Sequence, residues 1–396
     1  MDKALQVKVN EAKEGALAVL LNNEHGPIDS LPRVAGWGYP EPYTRDLMIS
    51  SLGVLASGND ELIQSLRRVF IRLAENQTPH GHVPSFVHNP RELGASDTTP
   101  LFLMALAIYR RAIGEDDFLT DAASQALTWM EYQSPGDEVL VGQLPTSDWR
   151  DEQWVLGFGL YVNAVVYIYL RLFGMDDRAD NLQRHMNTFA VCSGEPLRQN
   201  HWDPSVPCKP YYALWAYKVF SSGRFDLLGN SLAIIAGIPE PERAQAIIRW
   251  VEDECSAMRA RGDLAVDLPP SLFPYIKPGD QDWLSRYARY NQPGEYHNGG
   301  IWPFICGFYV VAQLAAGFPE LAERSLAALT DVVHLSQDKD LPFGFNEWIR
   351  AQDGIPHGQD WQTWSASMYL YAAACVEQRK VLFFDEFRNK PFPADE

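Results

Sequence analysis

The sequence has no hydrophobic run long enough to span a membrane. Its most apolar stretch, residues 154–173, is interrupted by two glycines, Asn163 and Arg171, whereas a membrane-spanning helix needs roughly 18 or more apolar residues in a row. The N-terminus also lacks the basic and then apolar pattern of a secretory signal. We therefore expect a cytoplasmic protein that has no membrane partner.

Basic residues are scarce as well. The 396 residues include 33 Lys and Arg against 51 Asp and Glu, which gives a net charge of -18. A protein of this charge repels phosphate backbones. We therefore expect no nucleic-acid partner.

Metal-binding signals are weak. The five cysteines are widely spaced and form no CxxC pair. The nine histidines form no HExxH motif, and a pair such as His80 and His82 around Gly81 usually reflects loop polarity alone. We therefore predict no metal and no other cofactor. The cysteines are expected to be reduced and structural: Cys192, Cys208, Cys255, Cys306 and Cys375.

The sequence does contain many segments with helical periodicity. Hydrophobic residues make up 46% of the chain, enough for a large core. Leu101, Met104, Ala105 and Ile108, for example, follow the i, i+3, i+4, i+7 spacing of one helix face. Strand signals are few. The predicted helices are residues 3–21, 44–57, 59–75, 99–113, 117–132, 153–173, 175–188, 209–220, 227–236, 239–256, 280–290, 300–316, 318–334 and 362–377.

No linker of low complexity divides the chain, so we predict one domain, residues 1–396. A chain of this many helices closes most readily into a ring of paired helices. The expected fold is therefore all-α, an (α/α)6 toroid, with the functional site in the loops at one end. A helical solenoid is the alternative, but the sequence shows no repeat of roughly 20 to 50 residues.

The predicted loops are rich in polar side chains, and most of them also carry aromatic rings. Sugars need this mixture, because the C–H faces of a pyranose pack on aromatic rings while its hydroxyls bond to polar groups. A single cluster of this kind is as often part of a hydrophobic core as part of a sugar-binding site. Together they indicate a small-molecule sugar substrate. The clusters are residues 37–46, 94–100, 146–151, 296–303, and 346–348 followed by 361–365, and all but the second contain an aromatic ring.

Hydrolysis of a glycosidic bond requires two carboxyl groups, one protonated and one ionised. Asp97 precedes an apolar helix among uncharged neighbours, and partial burial there would raise its pKa as an acid requires. The alternative is that Asp97 only caps the helix. Glu347 lies between Phe345 and Trp348 in a loop before a helix that contains tryptophan, although an isolated loop glutamate is usually just solvated. These two residues are the candidate catalytic carboxyls.

Six segments, in order, resemble the (α/α)6 inverting glycosidases that include neutral and alkaline invertases, glycogen-debranching glucosidases and mannosylglycerate hydrolases. They run from about residue 45 to 370. The ordered set is more specific than any single segment. The segments are Arg45-Asp46 at a helix start, Ser96-Asp97-Thr98 before an apolar helix, Asp148-Trp149-Arg150-Asp151, the LGN segment 228–230, the HNGGIWP turn 297–303, and Asn346-Glu347-Trp348 followed by Gln362-Thr363-Trp364.

The resemblance implies a glycosidase that inverts configuration, with Asp97 as general acid and Glu347 as general base. Asp46 and Asp151 would accept hydrogen bonds from sugar hydroxyls, and Arg45 would orient Asp46 or a helix end. Three tryptophans, at 37, 149 and 302, would form apolar walls. The full implied substrate-binding set is Trp37, Tyr39, Arg45, Asp46, Trp149, Asp151, His297, Asn298, Trp302, Gln362 and Trp364.

The sequence also departs from this group. It lacks the longer N-terminal extension of the debranching enzymes, and the Met-Gly-Phe-Arg-Gly-Tyr segment of the invertases is missing where residues 147–151 stand. A short α-linked glucoside or glycosyl conjugate is therefore the predicted substrate class, with sucrose as an alternative.

Two further alternatives stay open. One is a sugar 2-epimerase, like those acting on N-acylglucosamine or cellobiose, which would use His297 and His357 as proton carriers. The other is a non-catalytic sugar-binding protein. The oligomeric state is also open, including a homo-oligomer.

Overall fold

The computed structural model describes residues 1–92, 94–135, 139–186, 189–192, 208–218 and 220–388. None of the helices in these ranges is both long and apolar enough to cross a membrane. The helices are α1 (Lys3–Glu24), α2 (Thr44–Ser57), α3 (Asp60–Glu75), α4 (Thr98–Ile113), α5 (Thr120–Glu131), α6 (Leu160–Leu172), α7 (Asp176–Met186), α8 (Leu227–Ile235), α9 (Pro241–Arg261), α10 (Tyr287–Tyr290), α11 (Pro303–Ala315), α12 (Pro319–Val333), α13 (Thr363–Gln378) and α14 (Asp385–Arg388). The strands are β1 (Phe158–Gly159), β2 (Ala190–Cys192), β3 (Cys208–Tyr217), β4 (Phe220–Asp226), β5 (Leu272–Phe273), β6 (Trp348–Ile349) and β7 (Pro356–His357).

Six helices form a closed inner ring. In ring order they are α2, α4, α6, α8, α11 and α13, and α13 packs back onto α2. The helices α1, α3, α5, α7, α9 and α12 alternate with them along the chain and form the outer layer. The predicted all-α (α/α)6 toroid is confirmed.

The two layers differ in how their apolar residues are distributed. In α3, an outer helix, the buried residues include Leu62, Leu66, Val69 and Leu73 on one face, as expected for a helix that covers a core. The Asn59 side chain caps this helix by accepting a hydrogen bond from the backbone N–H of Leu62 at 3.0 Å, as the sequence allowed. All residues of α6, an inner helix, are buried. An inner helix such as α6 is therefore enclosed by protein on every side, and its polar residues Asn163 and Arg171 are buried as well.

Glycines let α13 close the ring. A Cβ on Gly53 of α2 would lie 1.9 Å from the carbonyl oxygen of Ser367, and one on Gly307 of α11 would lie 2.8 Å from that of Met368. Both distances are too short for a real Cβ atom. The close approach of α13 to α2 and α11 therefore requires glycine at these two positions.

The connections at the two ends of the ring differ in length. Those that lead from an inner to an outer helix are short, for example residues 58–59 and 316–318. Those that lead from an outer to an inner helix are long, for example 25–43, 132–159 and 334–362. The long connections all emerge at one end, which we call the functional end.

Two helix predictions are wrong. The helix predicted over 209–220 is absent, and residues 208–217 instead form β3, which pairs with β1, β2 and β4. This segment is rich in tyrosine and tryptophan, which suit strands, and its pairing partners decide the outcome. The helix predicted over 280–290 is limited to α10, residues 287–290.

The cysteine prediction also needs correction. Cys192 and Cys208, at paired positions of β2 and β3, form a disulfide. The strand pairing brings their Cα atoms within 4.0 Å, which spacing along the sequence does not reveal. Cys255, Cys306 and Cys375 are free and buried.

We predict that Gly53→Ala strongly destabilises the protein. The added methyl group collides with the backbone of α13, which cannot rotate away, so the free energy of unfolding should fall by about 3 kcal/mol or more. Gly58→Ala is the matched control, because Gly58 has a φ of 64° but no atom within 4 Å of an added Cβ, and it should cost only about 1 kcal/mol. Denaturant unfolding measures both, and equal losses would contradict the packing argument.

Candidate active site

Glu347 lies at the functional end in the connection between α12 and α13, and only 6% of it is exposed. The backbone N–H of Gln359 donates to its Oε2 at 3.1 Å. Burial raises the pKa of Glu347 to about 7, the Gln359 hydrogen bond opposes this, and the negative charges of Asp46 and Asp151 raise the pKa further. Three carboxyl groups from distant parts of the chain therefore act on one another.

Asp46 stands in the first turn of α2, where the helix dipole favours a negative charge. Its side chain is buried, and burial is the main cause that raises its pKa to about 7. The positive charge of Arg45 opposes this shift, while Asp97 and Asp151 add to it. A carboxyl in this position can keep its proton close to neutral pH.

Asp151 ends the third of the polar loop clusters, in the connection between α5 and α6. Its side chain is 64% exposed, yet the protein atoms around it raise its pKa, with Arg45 opposing the shift. The Nε2 atom of His297 lies 3.8 Å from its Oδ1. Burial, aided by the charge of Arg150, holds the pKa of His297 well below its ordinary value. His297 is therefore a neutral neighbour of Asp151.

The ring order decides which carboxyls face each other. The loop of Asp151 leads into α6, and the loop of Glu347 leads into α13. These helices stand three places apart in a ring of six, so they form opposite walls. Asp46 lies on α2, directly beside α13. Asp151 and Glu347 therefore approach the site from opposite sides, and Asp46 approaches from the side of Glu347.

Two tyrosines lie among these carboxyls. Burial raises the pKa of Tyr39 to about 12, and the charge of Glu347 adds to this. Burial also raises the pKa of Tyr296, with Asp151 and Glu347 adding to the shift. Both phenols keep their protons at neutral pH and can donate hydrogen bonds. Tyr39 was predicted to bind substrate, whereas Tyr296 was included in the cluster 296–303 but was given no role, although it directly precedes the HNGGIWP motif.

Asp97 does not occupy the position expected of a general acid. It is completely buried, and Arg45 donates to both of its carboxylate oxygens, at 2.6 and 3.0 Å. The Tyr161 hydroxyl donates to Oδ2 at 3.2 Å. Asp97 precedes α4 at the N-cap position, but its side chain makes no capping bond. Its carboxylate is used inside the protein, and this geometry does not fit transfer of a proton to a substrate.

Several predicted substrate-binding residues are structural instead. Trp302 is 1% exposed and Trp149 3%, and their rings pack edge to face at 5.3 Å. The Asn298 side chain donates to the backbone oxygens of Ile276 and Asn291 and accepts from the N–H of Ile276. These bonds hold the HNGGIWP turn and leave the amide no part in binding.

Of the remaining predicted residues, one is exposed and two are buried. Trp37 is 61% exposed and packs against Trp361 at 5.2 Å, so its ring is accessible. Trp364 is buried and stacks on Phe304 at 4.0 Å. Gln362 is buried at the N-cap of α13, and its backbone N–H donates to the oxygen of Phe345. Of these, Trp37 has the accessibility that a sugar-binding wall needs.

A buried ion network fixes the loop before Asp151. The Arg150 guanidinium donates to both oxygens of Asp148, at 3.2 and 2.7 Å, and lies 3.1 Å from Asp226. Burial alone would raise the pKa of Asp148, but the charge and hydrogen bonds of Arg150 lower it. The sequence analysis identified residues 148–151 as a motif. It did not predict the contact of Arg150 with Asp226, because Asp226 lies far away along the chain.

We predict that Arg45→Met lowers the free energy of unfolding by about 3–5 kcal/mol, because it leaves the charge of Asp97 buried without its partner. Tyr161→Phe removes a single hydrogen bond from the same carboxylate and should cost about 1 kcal/mol. Denaturant unfolding at neutral pH separates the two. Similar losses for both variants would show that the ion pair is not what stabilises Asp97.

Comparison with known sequences supports the resemblance over part of the chain. Residues 220–379 match the family of alkaline and neutral invertases. Probable alkaline/neutral invertase A, chloroplastic, of Arabidopsis thaliana is 27% identical over 192 residues, which are 47% of this chain and 28% of that protein. Cytosolic invertase 1 of Oryza sativa subsp. japonica is 27% identical over 158 residues, 39% of this chain and 26% of that protein. The matched region thus spans little more than a quarter of these relatives.

Solved structures share the fold over nearly the whole chain. The mannosylglycerate hydrolase of family GH63 from Thermus thermophilus, in complex with Tris and D-glycerate, has a TM-score of 0.64 at 16% identity and covers 91% of this chain and 99% of its own. A bacterial glucoamylase complexed with acarbose has a TM-score of 0.65 at 14% identity and covers 99% of this chain and 59% of its own. The likeness to (α/α)6 glycosidases is confirmed for the fold.

Proposed function

We propose that this protein is a glycoside hydrolase that cleaves a short α-linked glucoside with inversion of configuration. The observation that carries the proposal is the approach of Asp151 and Glu347 from opposite walls of the ring, with Asp46 beside Glu347. Inversion requires one carboxyl group on each side of the scissile bond, separated widely enough for a water molecule. The position of the two loops on opposite walls supports this arrangement.

In the proposed reaction Asp151 is the general acid and Glu347 the general base. Asp151 gives its proton to the glycosidic oxygen as the C–O bond breaks. Glu347 accepts a proton from the water that attacks the anomeric carbon from the other face. Asp46 accepts hydrogen bonds from sugar hydroxyls, and the phenols of Tyr39 and Tyr296 donate to the sugar.

Asp151 suits the acid role better than the other carboxyls. The protein atoms around it raise its pKa, as a general acid requires, and its side chain is accessible. Asp97 is bound by Arg45, and Asp148 is bound by Arg150, which lowers its pKa. Asp46 stands on the same side as the proposed base, so it cannot protonate a leaving group on the opposite side.

Sucrose is a second candidate substrate within the same reaction. The invertase match covers residues 220–379, which include Glu347 and the HNGGIWP turn. Sucrose is itself an α-glucoside. The epimerase alternative receives less support, because burial keeps the pKa of His297 far below neutrality, whereas a proton carrier needs a pKa near the working pH.

We predict that Glu347→Gln and Asp151→Asn each lower kcat for sucrose or maltose by about a thousandfold or more, since each removes one of two required proton transfers. α-D-Glucosyl fluoride separates their roles, because fluoride leaves without help from an acid. Asp151→Asn should therefore keep much of its activity on the fluoride, whereas Glu347→Gln should lose it. Reducing-sugar release and proton NMR of the first anomer formed, expected to be β-glucose, are the measurements.

Glu152→Gln is the matched control for these variants. Glu152 follows Asp151 directly but forms an ion pair with Arg286, so the activity of this variant should stay close to that of the wild type. If Asp151→Asn behaves like this control while Asp97→Asn abolishes turnover without loss of stability, the acid is Asp97. Retained turnover in Glu347→Gln would remove Glu347 as the base.

The pH profile gives a further prediction. The base must be ionised, so kcat/KM should rise through about pH 7, the raised pKa of Glu347. The negative charge of Asp46 disfavours ionisation of Glu347, so Asp46→Asn should lower that pKa and move the acidic limb to lower pH, whatever its effect on the maximum rate. A limb that stays in place, or moves to higher pH, would contradict the proposed coupling.

A further inference from the structure

A cavity adjoins the loop that carries Asp151. Its volume is about 660 Å³, within the roughly 300–1,000 Å³ typical of small-molecule sites. Its walls are residues 153–154, the hairpin of β3 and β4, and residues 274–287, and we call it the hairpin cavity. Since successive Cα atoms are about 3.8 Å apart, those of Asp151 and Trp154 lie within about 11 Å of each other. The cavity therefore borders the same connection that carries the proposed acid.

The hairpin cavity presents aromatic faces to a ligand. Trp154 is 51% exposed and Phe220 61% exposed, and Trp215 and Tyr287 also line the walls. The backbone N–H of Trp154 donates to the Tyr287 hydroxyl at 2.9 Å, which fixes the backbone beneath the indole. An accessible indole held in this way offers the flat surface on which a sugar ring packs.

A buried polar atom on the same wall lacks a partner. Gln153 is 2% exposed and lines the cavity, and its Oε1 accepts no hydrogen bond from the described residues. A buried acceptor without a donor is unfavourable. A hydroxyl of a ligand packed on Trp154, the next residue, would supply the missing donor.

The charges of the cavity exclude one class of ligand. The Arg224 guanidinium donates to Asp280 at 2.8 Å and to both oxygens of Asp282 at 2.8 and 2.9 Å. One cation thus meets two carboxylates, and the group keeps one negative charge. A ligand with its own carboxylate would be repelled, whereas a neutral hydroxylated ligand would not.

We propose that the hairpin cavity receives the leaving group, and that this group is an uncharged polyol of hexose size rather than a carboxylate such as glycerate. The inference rests on the proposed function, because the general acid protonates the leaving group and so defines its side of the site. Trp154 packs on its ring and Gln153 accepts one of its hydroxyls.

The first test compares two leaving groups. Trp154→Ala and Gln153→Leu should each lower kcat/KM for sucrose or maltose by about tenfold. Both should leave kcat/KM for α-D-glucosyl fluoride within about twofold of the wild type, because fluoride does not fill the cavity. Tyr132→Ala is the matched control, an aromatic residue 80% exposed outside this cavity, and it should change neither value.

Equal losses on the disaccharide and the fluoride, or an equal loss in Tyr132→Ala, would overturn the assignment of the cavity to the leaving group. A wild-type protein that hydrolyses neither substrate would overturn the proposed function itself, and this inference with it. The two failures are therefore distinguishable.

The second test concerns charge alone. Glucosylglycerol and glucosylglycerate have the same carbon skeleton and differ by one carboxylate. We expect kcat/KM to be higher for glucosylglycerol by about tenfold, and Asp282→Asn to reduce this preference. Preference for glucosylglycerate would overturn the proposed ligand class.

Discussion

The site depends on the crowding of negative charge around a single guanidinium. Burial raises the pKa of Asp46, Asp97 and Asp151, and the charge of Arg45 opposes that rise in all three. Arg45 directs its hydrogen bonds to Asp97, so the other two carboxyls and Glu347 are only partly compensated. Like charges at close range cannot all ionise. A site of this kind keeps a proton on one carboxyl near neutral pH, which acid and base catalysis requires.

The packing of the helical ring maintains this crowding. Inner helices such as α6 are buried on all sides, and the glycine contacts at Gly53 and Gly307 hold α13 tightly between α2 and α11. Such packing resists the relaxation that would let the carboxyls move apart. The short connections lie at the other end of the ring, and the long ones are left to carry the polar side chains.

The negative character of the site also bears on its ligand. The chain has a net charge of -18, the proposed site is built from carboxyls, and the hairpin cavity retains one unbalanced charge around Arg224. Neutral sugars bind without electrostatic repulsion in such surroundings, whereas anions do not. Packing on aromatic rings and hydrogen bonds to the carboxyls and phenols are then the attractions open to the ligand.

The sequence alone predicted the helical ring, most helix positions and the segments that meet at the functional end, because one-sided hydrophobic periodicity and continuous apolar runs are local patterns that each helix carries within its own residues. It also singled out Glu347. Only the tertiary structure decided that β3 is a strand and that Cys192 bonds to Cys208, because strand pairing depends on partners elsewhere. The tertiary structure also showed that Asp97 and Asp151 have different surroundings: Arg45 binds the carboxylate of Asp97, whereas the side chain of Asp151 is accessible. Both are loop aspartates in the sequence, and what distinguishes them is the reach of Arg45, 52 residues before Asp97, together with the place of each loop around the ring.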